Sequence, residues 1–312
     1  MDLDFATSAM LTGWLAATVR LAGPLLLAAL GELFCQRAGV LNIGIEGAML
    51  LGALAAYLGA SATGSPWAGI GFGIATGIVA GLFLAFMYVT VQASQVVVGI
   101  IFNIFALGLV SYVYRLALTG VSGVQTVDMF GAVPIPVLSN IPILGKVLFH
   151  QTVPLYLTAM LVIIAARTLY RTAYGLNLRA VGENPGAADT AGINVAAYRY
   201  CALLISSAAA GAAGAYILLA QVGQFRETVV TGQGFIALAI VIFGRWDPWR
   251  AMMAALIFGA AEGLQLTLQM FDTGVPPQLL LALPYLLTII AMSGIIGKAD
   301  QPEAFMQPYR KE

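Results

Sequence analysis

The sequence contains few charged residues, and this scarcity excludes a soluble globular domain. Of 312 residues only 9% are charged and 60% are hydrophobic, and the mean hydropathy is +0.91. Such a composition is typical of a polytopic membrane protein and leaves no room for a large aqueous domain. The formal net charge is zero, so nothing indicates nucleic-acid binding.

Cysteine is also scarce, and a phosphate-binding loop is absent. Cys35 and Cys201 predict neither a disulfide framework nor a metal site, and we expect both to be buried and inert. The chain has no GxxxxGK[ST] motif, because its two Gly-Lys pairs are followed by Val147 and Ala299. We therefore expect no cofactor and no bound metal in this chain. Any nucleotide energy must come from a separate chain.

One short motif raises the alternative of an enzyme. Residues 120–123, GVSG, have the Gly-x-Ser-Gly form of intramembrane serine proteases, and His150 is the only histidine that could act as a base. Both lie in a predicted external loop rather than in a membrane span. A four-residue match in a chain with 35 glycines has low specificity. We expect no catalytic residue and keep the protease as an alternative.

Nine apolar stretches are each long enough to cross a hydrocarbon core of about 30 Å. They lie at roughly 12–34, 40–59, 67–91, 96–118, 153–169, 200–222, 229–243, 252–270 and 279–296. The sequence therefore predicts an all-α polytopic membrane protein with one transmembrane domain over 1–312. The longest connection, 119–152, is predicted to be external and to act as an ordered lid, a docking loop or a linker.

Basic residues gather on one side of these spans. That side receives Arg37, Arg171, Arg179, Arg199, Arg245, Arg250, Lys298, Arg310 and Lys311. The opposite side receives chiefly Lys146 and Arg226. By the positive-inside rule, the N-terminus is predicted outside and the C-terminus in the cytoplasm. No Lys or Arg precedes Arg20, so we expect the first segment to be retained rather than cleaved as a signal peptide.

The odd number of spans allows an inverted repeat, in which the first four spans correspond to the last four. The second and seventh spans would then be equivalent. Both open with polar, glycine-interrupted stretches, at 41–47 and 231–234. Paired interruptions of this kind indicate a binding site near the membrane midplane in transporters.

A short capped helix is predicted in the cytoplasmic loop 171–199. Within GENPGAADTAGI at 182–193, Asn184 can cap the helix, Pro185 suits its first position and Gly192 can end the turn. The intervening alanines would let another protein approach the backbone closely. The candidate contact residues are Gly182, Asn184, Pro185, Ala187, Ala188 and Gly192. The alternative is an ordinary polar loop with a chance helical turn.

Polar side chains within the spans form a candidate substrate pathway. An unpaired carboxylate inside an apolar span costs at least a few kcal/mol, so it usually faces a cavity or a partner. Asn42 and Glu46 are four residues apart and are predicted to share one helix face. The candidate set is Asn42, Glu46, Asn103, Gln233, Glu262 and Gln265. The alternative is structural hydrogen bonding between helices, which is common in membrane bundles.

Three segments resemble the permease subunits of bacterial ABC importers for branched-chain amino acids, simple sugars and nucleosides. They are VLNIGIEGAMLLGA at 40–53, GENPGAADTAGI at 182–193 and GQGFIALA at 232–239. The resemblance covers nearly the whole chain. The Asn-Ile-Gly-x-Glu-Gly form at 42–47 is similar to the nucleoside branch. The DLSxG form of the ribose-type branch and the FAHG form of the amino-acid branch are not present.

The resemblance implies a permease of the bacterial inner membrane that forms the pathway for a small polar solute, with nucleosides favoured. It also implies a second permease subunit, usually a paralogue, together with cytoplasmic subunits that bind ATP and an external solute-binding lipoprotein. Residues 182–193 match the family's ATPase-coupling helix. The alternatives are a simple-sugar permease, an ion-coupled secondary transporter and the membrane protease.

Overall fold

The computed structural model describes residues 2–117, 126–136, 138–270, 279, 282, 284, 286, 287, 289 and 301–310. The helices in these ranges are α1 (Asp2–Arg37), α2 (Ile45–Thr63), α3 (Pro66–Ala85), α4 (Gln95–Ala117), α5 (Leu144–Leu148), α6 (Val153–Arg171), α7 (Ala173–Glu183), α8 (Pro185–Thr190), α9 (Val195–Ile217), α10 (Gln233–Phe243) and α11 (Pro248–Met270). Two π-helical turns, Phe86–Thr90 and Leu218–Val222, continue α3 and α9. Two short strands, β1 (Ala132–Pro134) and β2 (His150–Thr152), pair antiparallel.

The helices confirm the predicted all-α membrane fold. In the described part of the chain, seven helices are long and apolar enough to cross a membrane, and α10 is a shorter apolar helix. These eight helices coincide with eight of the nine predicted spans. The ninth, 279–296, lies almost wholly outside the described residues, so the total number of spans stays a prediction.

The predicted start of the second span is wrong. Gly39, with φ +81°, follows α1, and the chain is not helical again until α2 begins at Ile45. Asn42 therefore lies in a turn before α2 and does not share a helix face with Glu46. Similarly, α10 begins at Gln233 rather than at the predicted position 229.

The centre of the fold is the contact of α2, α3 and α9. A Cβ on Gly214 of α9 would overlap the carbonyl of Met49 on α2, and a Cβ on Gly77 of α3 would overlap the carbonyl of Ser207. In a membrane, helices associate through close packing of this kind because lipid provides no hydrophobic drive between them. These glycines therefore determine how closely the three helices approach.

The described part of the long connection that is predicted to be external packs against the bundle. Beyond the β1–β2 pair and α5, the backbone N–H of Val127 donates to the Gly223 carbonyl and that of Phe130 to the Leu219 carbonyl, both at 2.9 Å. These bonds attach the loop to the end of α9. Whether it acts as a lid, a docking loop or a linker stays a prediction. Ser122 lies outside the described residues, and His150 is exposed on β2.

Connections predicted to be cytoplasmic meet at one end of the bundle. Arg37 Nε donates to the Trp246 carbonyl at 3.1 Å, and the rings of Trp246 and Phe305 lie edge to face at 6.3 Å. The N–H of Ala304 donates to the Gly182 carbonyl at 3.0 Å. The basic connections thus share one end, as the charge pattern requires. Which end faces the cytoplasm stays a prediction.

We expect cysteine labelling to decide the orientation. The background must lack both native cysteines, because Cys35 is buried as predicted but Cys201 is exposed, contrary to the prediction. In intact spheroplasts, Asp2→Cys should react with a membrane-impermeant maleimide, whereas Ala191→Cys should react only after lysis, since the positive-inside rule places it in the cytoplasm. Labelling at position 191 but not at position 2 in intact spheroplasts would reverse the orientation.

Candidate functional site

Glu46 joins the start of α2 to the start of α10. Its Oε1 accepts a hydrogen bond from the Gly232 N–H at 2.6 Å, and its Oε2 accepts one from the Gly234 N–H at 2.9 Å. The first N–H groups of a helix have no partner within the helix, and its N-terminus favours a negative charge. Glu46 thus provides the acceptors that α10 needs. It connects the two segments that the sequence predicts to be equivalent.

The side chain of Asn103, on α4, forms hydrogen bonds with the backbone on both sides of the start of α2. Its Oδ1 accepts from the Gly47 N–H at 2.8 Å, and its Nδ2 donates to the Ile43 carbonyl at 3.0 Å. Both ends of the amide are therefore bonded to backbone around the start of α2. In this conformation Asn103 positions the turn before α2.

Asn42 belongs to a buried polar network that sequence analysis did not identify. Its Nδ2 donates to Ser206 Oγ at 3.0 Å and to Ser207 Oγ at 3.2 Å, and its N–H donates to Glu32 Oε1 at 3.1 Å. Ser206 Oγ donates to Glu32 Oε2 at 2.7 Å. All four residues are 0% exposed, and several donors offset the cost of burying the carboxylate.

Gln36 extends this network to the turn between α10 and α11. Its Nε2 donates to Glu32 Oε1 at 3.0 Å, and its Oε1 accepts from Trp246 Nε1 at 2.7 Å. The available signal was the spacing of Glu32 and Gln36, four residues apart inside an apolar span. The network, defined as Glu32, Gln36, Asn42, Ser206 and Ser207, connects α1, the turn before α2, and α9.

Gln233 lies beside the Glu46 contact, at the first position of α10. It is half-buried, and its Oε1 is buried without a hydrogen-bond partner among the described residues. The structure therefore brings Asn42, Glu46, Asn103 and Gln233 together around the turn before α2.

Glu262 and Gln265 lie apart from that group. They are on α11, which packs on α1: a Cβ on Gly263 would lie 3.4 Å from the Trp14 ring and 3.5 Å from the Thr18 backbone N. No hydrogen bond between described residues connects Glu262 or Gln265 to the group around the turn before α2. The predicted six-residue set thus divides into four residues that meet and two on a different helix.

The predicted cytoplasmic helix is present as α8. Asn184 Oδ1 accepts from the Ala187 N–H at 2.9 Å, Pro185 occupies the first helical position, and Gly192 has φ +86°. These observations confirm the predicted cap, start and stop. The alternative, an ordinary polar loop with a chance helical turn, concerns the role of this stretch and stays open.

Only part of the predicted contact set faces outward. Ala187 is exposed, but Ala188 is 3% exposed and packs with Val181 and Val195. Gly182 is also buried, and a Cβ there would overlap the Arg37 carbonyl. Ala188 and Gly182 therefore support α8 from the protein side, which corrects their prediction as partner-contacting residues.

Residues 14–292 match the family described as the permease component of branched-chain amino acid transport systems. Among curated relatives, the guanosine ABC transporter permease protein NupQ of Bacillus subtilis is 38% identical over 95% of this chain and 95% of its own. The nucleoside ABC transporter permease protein NupC of Lactococcus lactis is 37% identical over 90% of this chain and 91% of its own. TsgC13 of Haloferax volcanii, which carries a provisional name as a glucose ABC transporter permease protein, is 35% identical over 96% of this chain and 98% of its own.

The same three organisms each have a second, less similar relative. These are the guanosine permease protein NupP, 28% identical over 85% of this chain and 77% of its own, the nucleoside permease protein NupB, 24% over 84% and 74%, and the glucose permease protein TsgB13, 28% over 75% and 64%. In each organism this chain is therefore similar to two permease proteins. It is more similar to NupQ, NupC and TsgC13 than to NupP, NupB and TsgB13.

The helical fold and these relatives define a multi-pass permease of the inner membrane, of the ABC transporter class. The chain belongs to the family of branched-chain amino acid transport system permease components, which confirms the resemblance found in the sequence. It is a transport subunit rather than an enzyme, and ATP hydrolysis resides in separate subunits.

Proposed function

We propose that this chain is one permease subunit of an ABC importer for nucleosides. The observation that carries the proposal is the identity of 38% to a guanosine permease and 37% to a nucleoside permease, over at least 90% of each chain. The Asn-Ile-Gly-x-Glu-Gly form at 42–47 agrees with it. A simple sugar is the second candidate, because TsgC13 and TsgB13 are both named for glucose and are 35% and 28% identical over 96% and 75% of this chain.

In the membrane part of the importer, this chain forms a dimer with a second, different permease. The chain is 38% identical to NupQ but 28% to NupP, and 37% identical to NupC but 24% to NupB. Two dissimilar permeases in one organism, both named for the same substrate class, favour a heterodimer. The partner of this chain would then resemble NupP or NupB. Cytoplasmic ATP-binding subunits and an external solute-binding lipoprotein would complete the importer.

The structure supports a route for movement from α8 to the pathway. The chain continues from α8 into α9, and Ser206 and Ser207 of α9 hold Asn42 in the turn before α2. Glu46, at the start of α2, then holds α10. When ATP brings the ATPase subunits together, displacement of α8 would tilt α9, α2 and α10 as a connected group and open the pathway alternately to each side.

The candidate pathway centres on the turn before α2. The amides of Asn42, Asn103 and Gln233, together with Glu46, suit an uncharged solute with several hydrogen-bonding groups, such as a nucleoside. Glu262 and Gln265 on α11 would contribute from a second helix. The Oε1 of Gln233 and the Oδ1 of Asn42 have no hydrogen-bond partner among the described residues. These two acceptors are available to a solute, whereas both ends of the Asn103 amide are already bonded.

We expect Glu46→Gln to lower nucleoside uptake about tenfold or more, since a glutamine amide would face one of the two N–H groups and leave a buried donor unpaired, at about 1–3 kcal/mol. Uptake by whole cells is the measurement, with the level and assembly of the permease as the control. Assembly should remain near normal. Unchanged uptake in both Glu46→Gln and Glu262→Gln would show that transport requires neither carboxylate and would remove the main support for this pathway.

Reconstitution tests the proposed function. The two permeases, the ATPase and the binding protein are placed in proteoliposomes, and uptake of labelled guanosine, uridine, glucose and ribose is compared with and without ATP inside. We expect ATP-dependent uptake of nucleosides that excess glucose does not reduce. Uptake of sugars without nucleosides would favour the sugar permease. Uptake that follows an ion gradient without ATP would indicate a secondary transporter.

A further inference from the structure

The chain from 302 to 310, here called the C-terminal strap, crosses the end of the bundle that carries α8. The N–H of Ala304 donates to the Gly182 carbonyl at 3.0 Å, and the N–H of Met306 donates to the Gly39 carbonyl at 2.9 Å. Ala304 is 6% exposed. The strap is therefore bonded through its backbone both to the end of α7 and to the turn after α1.

The strap also reaches α8 and the connection between α3 and α4. Tyr309 Oη donates to Asp189 Oδ2 on α8 at 3.0 Å. Gln92, which precedes α4, donates through Nε2 to the Tyr309 carbonyl at 2.8 Å and accepts at Oε1 from Arg310 Nε at 2.6 Å. One short segment thus joins α8 to a connection that is distant in sequence.

A buried cation holds the middle of the strap. Arg199, in the second turn of α9, is 3% exposed, and its Nη1 donates to the Gln307 carbonyl at 2.9 Å. Hydrogen bonds from a charged donor are among the stronger ones. The strap is therefore fixed to α9 as well as to α7 and α8.

The outer faces of the strap and α8 form one continuous surface. Tyr309 lines two clefts, of about 400 Å³ and about 330 Å³, of which the first is mainly polar and the second is mixed. The first is lined by Glu183 and Asn184 from the α7–α8 junction together with Glu303 and Gln307 from the strap. Asp189 lines the second. Because carboxylates line both clefts, this surface is complementary to a partner surface that presents basic side chains and amide N–H donors.

We propose that the cytoplasmic ATPase subunit binds a composite surface made of α8 and the C-terminal strap, rather than α8 alone. The strap then carries the displacement of α8 directly to the end of α1 and to the α3–α4 connection, in addition to the route through α9. This inference rests on the proposed function in one respect, that the chain works with a separate ATPase. It doesn't depend on the identity of the solute.

Binding of the ATPase to the purified permease pair in lipid nanodiscs, without any solute, tests the composite surface. We expect Glu303→Lys, and deletion of 302–312, to weaken binding about tenfold or more. The first variant reverses the charge at the first cleft, and the deletion removes strap residues from both clefts. Gln301→Lys is the matched control: it adds the same side chain at an exposed residue just outside the strap, and should bind like wild type.

If deletion of 302–312 prevents folding, the point variant Glu303→Lys still tests the composite surface. Wild-type affinity in both Glu303→Lys and Tyr309→Ala would overturn the composite surface. Because this assay contains no solute, a failure of nucleoside transport would leave its result unaffected.

Gln92→Ala tests transmission by the strap. It removes the bonds to Tyr309 and Arg310 without changing α8 or the outer surface. We expect normal ATPase affinity but about fivefold less solute transported per ATP hydrolysed, since two hydrogen bonds that carry the movement are lost. An unchanged transport ratio would show that the strap does not transmit the movement.

Discussion

Ala187→Glu abolishes ATP-driven uptake while the permease still inserts and pairs with its partner. Ala187 is exposed on α8, and its N–H donates to the capping Asn184. Glutamate at this third helical position is favoured by the helix N-terminus, so α8 itself should persist. A bulky charge on a surface that a partner approaches closely should nevertheless prevent docking, and we expect uptake to fall about a hundredfold or more, equivalent to more than about 2.7 kcal/mol of lost binding.

Two further alanine-to-glutamate variants show whether the loss of uptake is specific to Ala187. Ala173→Glu places the same side chain at an exposed residue in the same connection, at the start of α7, and uptake should be unaffected. Ala188→Glu would instead bury a charge against Val181 and Val195, so the amount of folded permease should fall. If Ala187→Glu keeps normal transport-coupled ATP hydrolysis, then α8 only connects α7 to α9 and does not bind the ATPase.

Gly214→Ala strongly reduces the amount of folded permease. The added Cβ would overlap the Met49 carbonyl, and a shift of α2 to relieve it would also separate Gly52 from Gly211, which are in close contact nearby. Overpacking at a backbone contact should cost about 3 kcal/mol, at the upper end of the usual range. The yield of monodisperse protein in detergent and its thermal unfolding are the measurements.

Gly108→Ala is the matched control for this prediction. Gly108 lies on the exposed side of α4, and a Cβ there would meet nothing within 4 Å. The same substitution should therefore be neutral or stabilise α4 slightly, by up to about 1 kcal/mol, because alanine is the better helix former. Equal behaviour of Gly214→Ala and Gly108→Ala would mean that α2 and α9 are not in close contact.

Several features of this protein could be predicted from sequence because they depend on local interactions. The cap of α8 joins Asn184 to Ala187, three residues apart, so the residues themselves specify it. The membrane spans follow from the length of the apolar runs, since each helix satisfies its own backbone hydrogen bonds. The motif around 42–47 indicated the family and the region of the candidate site before its geometry was known.

The pairing of polar groups was decided by the tertiary structure. Glu46 meets Gly232, and Asn42 meets Ser206, across more than a hundred residues of sequence. No local pattern specifies such partners, because they depend on which helix faces touch and at what depth. Close glycine contacts between α2, α3 and α9 set that arrangement. The sequence by itself therefore determined the class, the spans and the capped helix, whereas helix packing decided that Glu46 holds α10, that Glu32 joins a buried network, and that the strap meets α8.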